Sequence, residues 1–213
     1  MFIILKPSQN MGGVCLAKKK FYAVRKGYKT GVFLTWTECS KQISGFKGAE
    51  FKSFTTMEEA EDFVKGIKKE IKVDENTIEA YVDGSYEHSI KKYGSGVVIL
   101  KNREVIHTES FGGNDEEYLS MRNVAGEIKA SEYAMNYCIE NNIPKLVIYF
   151  DYQGIEKWCT GEWKANKKGT MEYRDFYNSI KDRLDVSFVK VAAHTGDKYN
   201  EMADQLAKEG LNK

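Results

Sequence analysis

Lys145-Leu146-Val147-Ile148-Tyr149-Phe150-Asp151 is the stretch on which the fold turns. Five consecutive apolar residues end at a carboxylate, and Asn141-Asn142 and Pro144 stand just before them. So short an apolar run, bounded by turn residues, reads as a strand buried on both faces. Upstream, Val124, Ile128, Ser131, Met135, Cys138 and Ile139 form one stripe of a helix predicted over 124–141, stopped by the same asparagines and proline. Before it, Ile78, Ala80 and Val82 alternate with Glu79 and Tyr81 in a strand predicted to end at Asp83. Strands over 93–100 and 104–112 follow, with turn residues Lys101-Asn102 between them. Downstream, helices are expected over 153–159 and 172–184, a strand over 186–193 and a last helix over 200–208, closed by Gly210. Three successive strands and then alternating helices and strands make a mixed α/β sheet.

A second unit precedes this one. Strands are predicted over 21–24, 31–34 and 49–54. Thr35-Trp36-Thr37-Glu38 and Thr56-Met57-Glu58-Glu59 each fit a capping box opening a helix. The order ββαβα fills residues 20–67. Residues 68–76 read as a charged linker, 77–213 as the larger domain, and 1–19 as a flexible basic tail ending in Lys18-Lys19-Lys20.

Over the whole chain 32 Lys/Arg oppose 31 Asp/Glu, a net charge of +1 that conceals an asymmetry. Residues 1–56 carry ten basic and two acidic side chains, net +8; the remainder carries 22 and 29, net −7. A basic front on an acidic body points to an anion-binding arm. No apolar run approaches the roughly 18 residues of a membrane span. The four cysteines (Cys15, Cys39, Cys138, Cys159) form no C-x-x-C pair and read as thiols in a reducing cytoplasm. Aromatic content of 13% and two prolines argue against disorder.

The chemistry is expected where acids stand at strand ends. Asp83 and Asp151 each close a predicted strand, and if those strands are neighbours the two carboxylates face each other. Glu127 falls in the first turn of the helix between them. Asp204 lies one turn into the last helix, with His194 in a Gly-containing loop ten residues earlier. Each alone has an ordinary explanation: a turn or cap residue, a carboxylate complementing a helix dipole, a surface histidine, a solvated acid. Together, four converging carboxylates would repel one another and raise their pKa values. Divalent cations relieve that repulsion, and oxygen-only ligands suit Mg²⁺ or Mn²⁺. Two such ions can serve phosphodiester hydrolysis.

Tyr81-Val82-Asp83-Gly84-Ser85, Asn123-Val124-Ala125-Gly126-Glu127, Val147–Asp151, His194-Thr195-Gly196-Asp197 and Asn200-Glu201-Met202-Ala203-Asp204 resemble, in order and spacing, the motifs of type 1 ribonuclease H. The resemblance spans residues 77–213 and implies that family's mixed five-stranded sheet with flanking helices. It implies cleavage of RNA in RNA–DNA hybrids to 5′-phosphate and 3′-hydroxyl ends, with two Mg²⁺ ions and Mn²⁺ as a substitute. Asp83, Glu127, Asp151 and Asp204 would be the metal ligands. His194 would assist proton transfer or product departure, and Asn123 would touch the RNA strand; capping its own helix is an equally good physical role for Asn123.

The first unit, through Phe21-Tyr22-Ala23-Val24, Gly31-Val32-Phe33, Thr35-Trp36 and Phe51-Lys52-Ser53-Phe54, resembles the hybrid-binding domain found before ribonuclease H and in viroplasmin. By that resemblance Tyr22, Trp36 and Phe51 line the sugar–phosphate track with Lys52 on a phosphate. Double-stranded RNA would be a second ligand. Ser53 stands where the family often has a further basic residue. Between Trp158 and Glu172 the chain offers only Lys164, Lys167 and Lys168, too short a segment for the basic protrusion of some relatives. A cytoplasmic, monomeric, metal-dependent endoribonuclease is therefore expected, cutting by in-line attack of water with inversion at phosphorus. The rivals are a hybrid or double-stranded RNA binder with a degenerate site, and a DNA-cutting member of the same fold.

Overall fold

The computed structural model describes residues 20–54, 56–67, 73–191 and 196–213. The predicted tail, most of the predicted linker and His194 fall outside them. The chain divides into two compact units, residues 1–70 and 71–213.

In the first unit, β1 (Phe21–Lys26), β2 (Gly31–Phe33), α1 (Trp36–Ile43), β3 (Glu50–Phe54) and α2 (Met57–Lys65) realise the ββαβα order. The sheet order is β2-β1-β3, antiparallel throughout. Both capping threonines act as read: the Thr35 hydroxyl accepts the Glu38 amide at 3.2 Å and the Thr56 hydroxyl accepts the Glu59 amide at 3.3 Å. Each glutamate reaches back to the threonine hydroxyl, 2.9 Å away in both boxes. Strand alternation sorts the side chains onto two faces. Phe54 meets Phe63 of α2 on one face, while Tyr22, Phe33 and Phe51 share the other.

The second unit runs β4 (Thr77–Glu87), β5 (Lys92–Lys101), β6 (Glu104–Gly113), α3 (Glu116–Leu119), α4 (Asn123–Glu140), β7 (Lys145–Phe150), α5 (Gly154–Thr160), α6 (Lys168–Ile180), β8 (Asp185–Lys190) and α7 (Lys198–Gly210). Its five strands lie in the order β6-β5-β4-β7-β8, with β4–β5–β6 antiparallel and β4–β7–β8 parallel. Asn102 and Arg103, both at positive φ, make the two-residue β5–β6 turn.

One face of this sheet buries Ile78, Ala80, Val82, Leu146, Ile148 and Phe150 against Ala125, Ile128 and Met135 of α4. The other face is smaller: Tyr81, Val98 and Leu100 pack with Ala203 of α7. Both helices lie almost on the sheet backbone. A Cβ at Gly96 would overlap the Ala203 carbonyl oxygen and the Ala207 amide, and one at Gly84 would overlap the Asn123 carbonyl and the Glu127 amide. The Ser95 hydroxyl donates to the Gly126 carbonyl at 2.8 Å and that of Ser110 to the Leu206 carbonyl at 2.7 Å, stitching each helix to the sheet.

Three sequence expectations need correction. β4 does not end at Asp83 but runs four residues further, because β5 keeps pairing with it to Glu87. The helix expected over 172–184 lies four residues earlier. Thr170 opens it by accepting the Lys167 amide at 3.1 Å, and Gly169, within the helix, packs close on Tyr118 and Met121. α7 starts at Lys198, since Asp197 accepts the amides of Tyr199 and Asn200. Asp204 is therefore nearly two turns into that helix.

Gly96→Ala should cost about 1–3 kcal/mol by forcing α7 off the sheet, read as a lower urea midpoint with unchanged slope. A loss below about 0.5 kcal/mol, the scale of an ordinary surface change, would mean that the close approach is not required.

Candidate active site

β4 and β7 are neighbours, paired in parallel from Thr77–Lys145 to Tyr81–Tyr149. Continuing that register two residues sets Asp83 level with Asp151. Pairing alternates faces: Tyr81 belongs to the α7 side and Val82 to the α4 side, so Asp83 points to the α7 side. Glu127 comes from the other side. It is the fifth residue of α4, past the first turn where the sequence reading had placed it, so a dipole role does not account for it. Its Oε1 accepts the amides of Asp151 and Tyr152, each at 3.2 Å, which anchors α4 to the carboxyl end of β7.

Glu127 is only 2% exposed. Burial above all, and then the like charges of Asp151 and Asp83, push its carboxyl well above the ordinary range, opposed by the two amides. Asp83 takes the Gly84 amide on Oδ1 at 2.7 Å. Asp204, on α7, accepts Lys208 Nζ on Oδ2 at 2.6 Å. Among the described residues no three His, Cys, Asp or Glu side chains stand as a closed group ready to hold a metal ion. The donor set nonetheless fits a hard divalent cation: it is all oxygen, and its buried member is destabilised by neighbouring negative charge. Such an ion would draw on Asp83, Glu127, Asp151 and Asp204.

Asn123 is the exposed first residue of α4. The helix cap is Arg122, which makes no side-chain cap bond, so the capping role considered for Asn123 is not the one adopted. Arg122 has φ 55° and ψ −129°, a conformation that glycine normally supplies, immediately before a residue of the site.

In the N-terminal unit Trp36 stands between Tyr22 and Phe51, ring centroids 5.8 and 5.9 Å away, and is 50% exposed. The three rings form one aromatic face. Lys52 does not join it: next to Phe51 in the strand, it points to the α2 side, with Nζ 5.4 Å from the Phe54 ring and Glu59 and Asp62 lining the same hollow.

The sequence reading passed over several neighbours of the carboxylates. Tyr152, Trp158 and Trp163 form an aromatic group with centroids 5.8–6.3 Å apart. A cavity of about 190 Å³ opens among Ser120, Val124, Tyr152, Trp158 and Lys167. The two tryptophans flanking Gly161 just after Asp151 were the available signal. Lys167 is tied to the Ser120 carbonyl at 3.0 Å and Lys168 to Glu117, so two of the three lysines of this segment are engaged within the protein. Lys208 was legible only as the i+4 partner of Asp204.

Residues 75–212 match the RNase H family profile, and residues 20–64 match that of the ribonuclease H1 N-terminal domain. The chain belongs to the ribonuclease H family. Human ribonuclease H1 is 28% identical over 255 residues, covering 89% of this chain and 88% of the human protein. Ribonuclease H of Schizosaccharomyces pombe is 24% identical over 266 residues, covering 95% and 100%. The fold recurs in RNase H1 from Halobacterium salinarum, with TM-score 0.53, 23% identity and coverage of 64% of this chain and 98% of that one. It recurs also in LC11-RNase H1 solved with an RNA/DNA hybrid, with TM-score 0.52, 20% identity and coverage of 63% and 96%.

Arg122→Gly should stabilise the protein by about 1 kcal/mol, the released backbone strain less the entropy that glycine adds to the unfolded chain. A lower melting temperature than wild type would show that the Arg122 conformation carries no strain.

Proposed function

We propose that the chain is an endoribonuclease that hydrolyses the RNA strand of RNA–DNA hybrids, leaving 5′-phosphate and 3′-hydroxyl ends. The observation that carries this reading is the buried Glu127, anchored on the Asp151 and Tyr152 amides at the end of β7 and destabilised by the charges of Asp151 and Asp83. A protein that only binds a polyanion gains nothing from acids gathered in this way.

When bound, two divalent cations, Mg²⁺ or Mn²⁺ in its place, supply water activation and stabilisation of the departing 3′-oxygen. The chain's own part is placement. Glu127 holds the two sides of the sheet end together, Asp83 and Asp151 present oxygens level with each other, and Asp204 adds a fourth from α7. Water attacks in line, with inversion at phosphorus and no covalent intermediate. His194 is assigned to proton transfer or product departure. Asn123, exposed at the start of α4, is assigned to the RNA strand, whose 2′-hydroxyl and helix shape distinguish hybrid from DNA duplex.

The N-terminal domain supplies grip. Its exposed Tyr22–Trp36–Phe51 face on a basic unit suits stacking and charge attraction to a nucleic-acid backbone. It also suits double-stranded RNA. Lys52, on the opposite face of the strand, reaches a phosphate only around the β3 edge. The domain organisation proposed is 20–67 for binding and 77–213 for catalysis, in a cytoplasmic monomer.

The test is a gel assay on labelled hybrid, RNA–RNA and DNA–DNA duplexes, each with Mg²⁺ or EDTA. Cutting of the hybrid alone, abolished by EDTA and by Asp151→Asn, is expected. Hybrid binding without cutting in either Mg²⁺ or Mn²⁺ would instead assign the chain to the binders. Trp36→Ala should raise KM on long hybrids by about tenfold, the value of one lost stacking contact, with kcat little changed. Equal losses on a very short and a long hybrid would count against tethering by the N-terminal domain.

A further inference from the structure

The contact between α7 and the sheet brings a basic side chain to the carboxylates. Asp83 pairs with Gly96 across β4 and β5. The side of Gly96 that lacks a Cβ is covered by the Ala203 carbonyl and the Ala207 amide. Asp83 points to that same side, so it stands next to the line along which α7 touches the sheet. Asp204 and Lys208 follow Ala203 and Ala207 by one residue each and therefore share the adjoining strip of the helix.

The Lys208 ammonium contacts Asp204 Oδ2 at 2.6 Å. Asp204 is the main group favouring its charged form; Asp83, on a different element, adds the smallest contribution, less than the opposing desolvation. The Lys208 side chain is 55% exposed and that of Asp204 26%, so the ammonium keeps access to solvent. This ammonium stands in the field of two of the four acids assigned to the divalent cations.

We propose that Lys208 is the resident counter-cation of the carboxylate site, holding Asp204 in the metal-free protein and giving way when a divalent cation loads. The proposal rests on the metal reading of the four acids given above. Loading is then an exchange of cations: the ammonium leaves Asp204 for solvent, which its exposed, flexible stem permits, and the carboxylate oxygen turns to the incoming ion. Lys208 thereby sets the concentration of divalent cation at which the site fills.

The test is a Mg²⁺ titration of the full chain without nucleic acid, followed through the backbone amide resonances of Asp151 and Tyr152, which report on Glu127. Wild type, Lys208→Met, Lys208→Arg and Asp151→Asn are compared at constant ionic strength. Lys208→Met should bind Mg²⁺ about two- to fivefold more tightly, the worth of one exposed ion pair. Lys208→Arg, which keeps the charge, should stay close to wild type. Saturable binding by wild type with unchanged or weaker affinity in Lys208→Met overturns the role of Lys208 and leaves the metal reading standing. Wild-type shifts that never saturate, or that persist unchanged in Asp151→Asn, overturn the metal reading and this proposal with it.

Discussion

The larger unit depends on how closely two helices lie on one sheet. Where α4 crosses β4, Gly84 and Gly126 let backbone meet backbone, and a single methyl group at either would overlap main-chain atoms. That proximity sets the depth of Glu127, the residue after Gly126, and lets its carboxylate reach the amides at the end of β7. Where α7 crosses β5, Gly94 and Gly96 play the same part for Ala207 and Ala203. The hydroxyls of Ser95 and Ser110 add one directional bond to each crossing. Hydrophobic burial would hold the helices against the sheet, but it is not directional. Steric fit at the glycines and these hydrogen bonds fix where along the sheet each helix sits.

From that arrangement the electrostatics follow. Asp83 within β4 and Asp151 just past β7 both act on the buried Glu127 of α4, whose charged state burial and their like charges disfavour. Backbone amides compensate part of this. Asp204 is instead paired with Lys208 across one turn of its own helix. The Asp204 charge is thus partly neutralised from within, and the all-oxygen donor set would suit a hard divalent cation. Arg122, at φ 55° and ψ −129°, places a strained residue at the start of α4, immediately before Asn123.

The N-terminal unit is organised by alternation along three short strands. Tyr22 and Phe51 share a face because Phe51 pairs with Val24, two residues along β1 from Tyr22, and Trp36 enters between them from the start of α1, which Thr35 caps. The same alternation sends Lys52 away from them, toward Glu59 and Asp62. Adjacent letters in a strand face opposite ways, so a motif that reads as one cluster divides into two surfaces.

Much was determined by the sequence itself. The apolar run ending at Asp151, the alternation before Asp83, the stripe of α4 and the two threonine caps are local patterns with local causes, and the elements they predict are present. The five strands were legible because hydrophobic period is written along the chain, and Asp83, Glu127, Asp151 and Asp204 stood out there as candidates by residue type and position. Only the tertiary structure decided where β4 ends, since continued pairing with β5 carries it past Asp83, and where α6 begins, with Gly169 packed close on Tyr118 and Met121. It alone decided that α7 packs on Gly96, the partner of Asp83 across β4 and β5, and that Arg122 takes a conformation its side chain disfavours. The reason is common to these cases: each depends on atoms contributed by distant segments, and contact energy between distant segments leaves no period in the sequence.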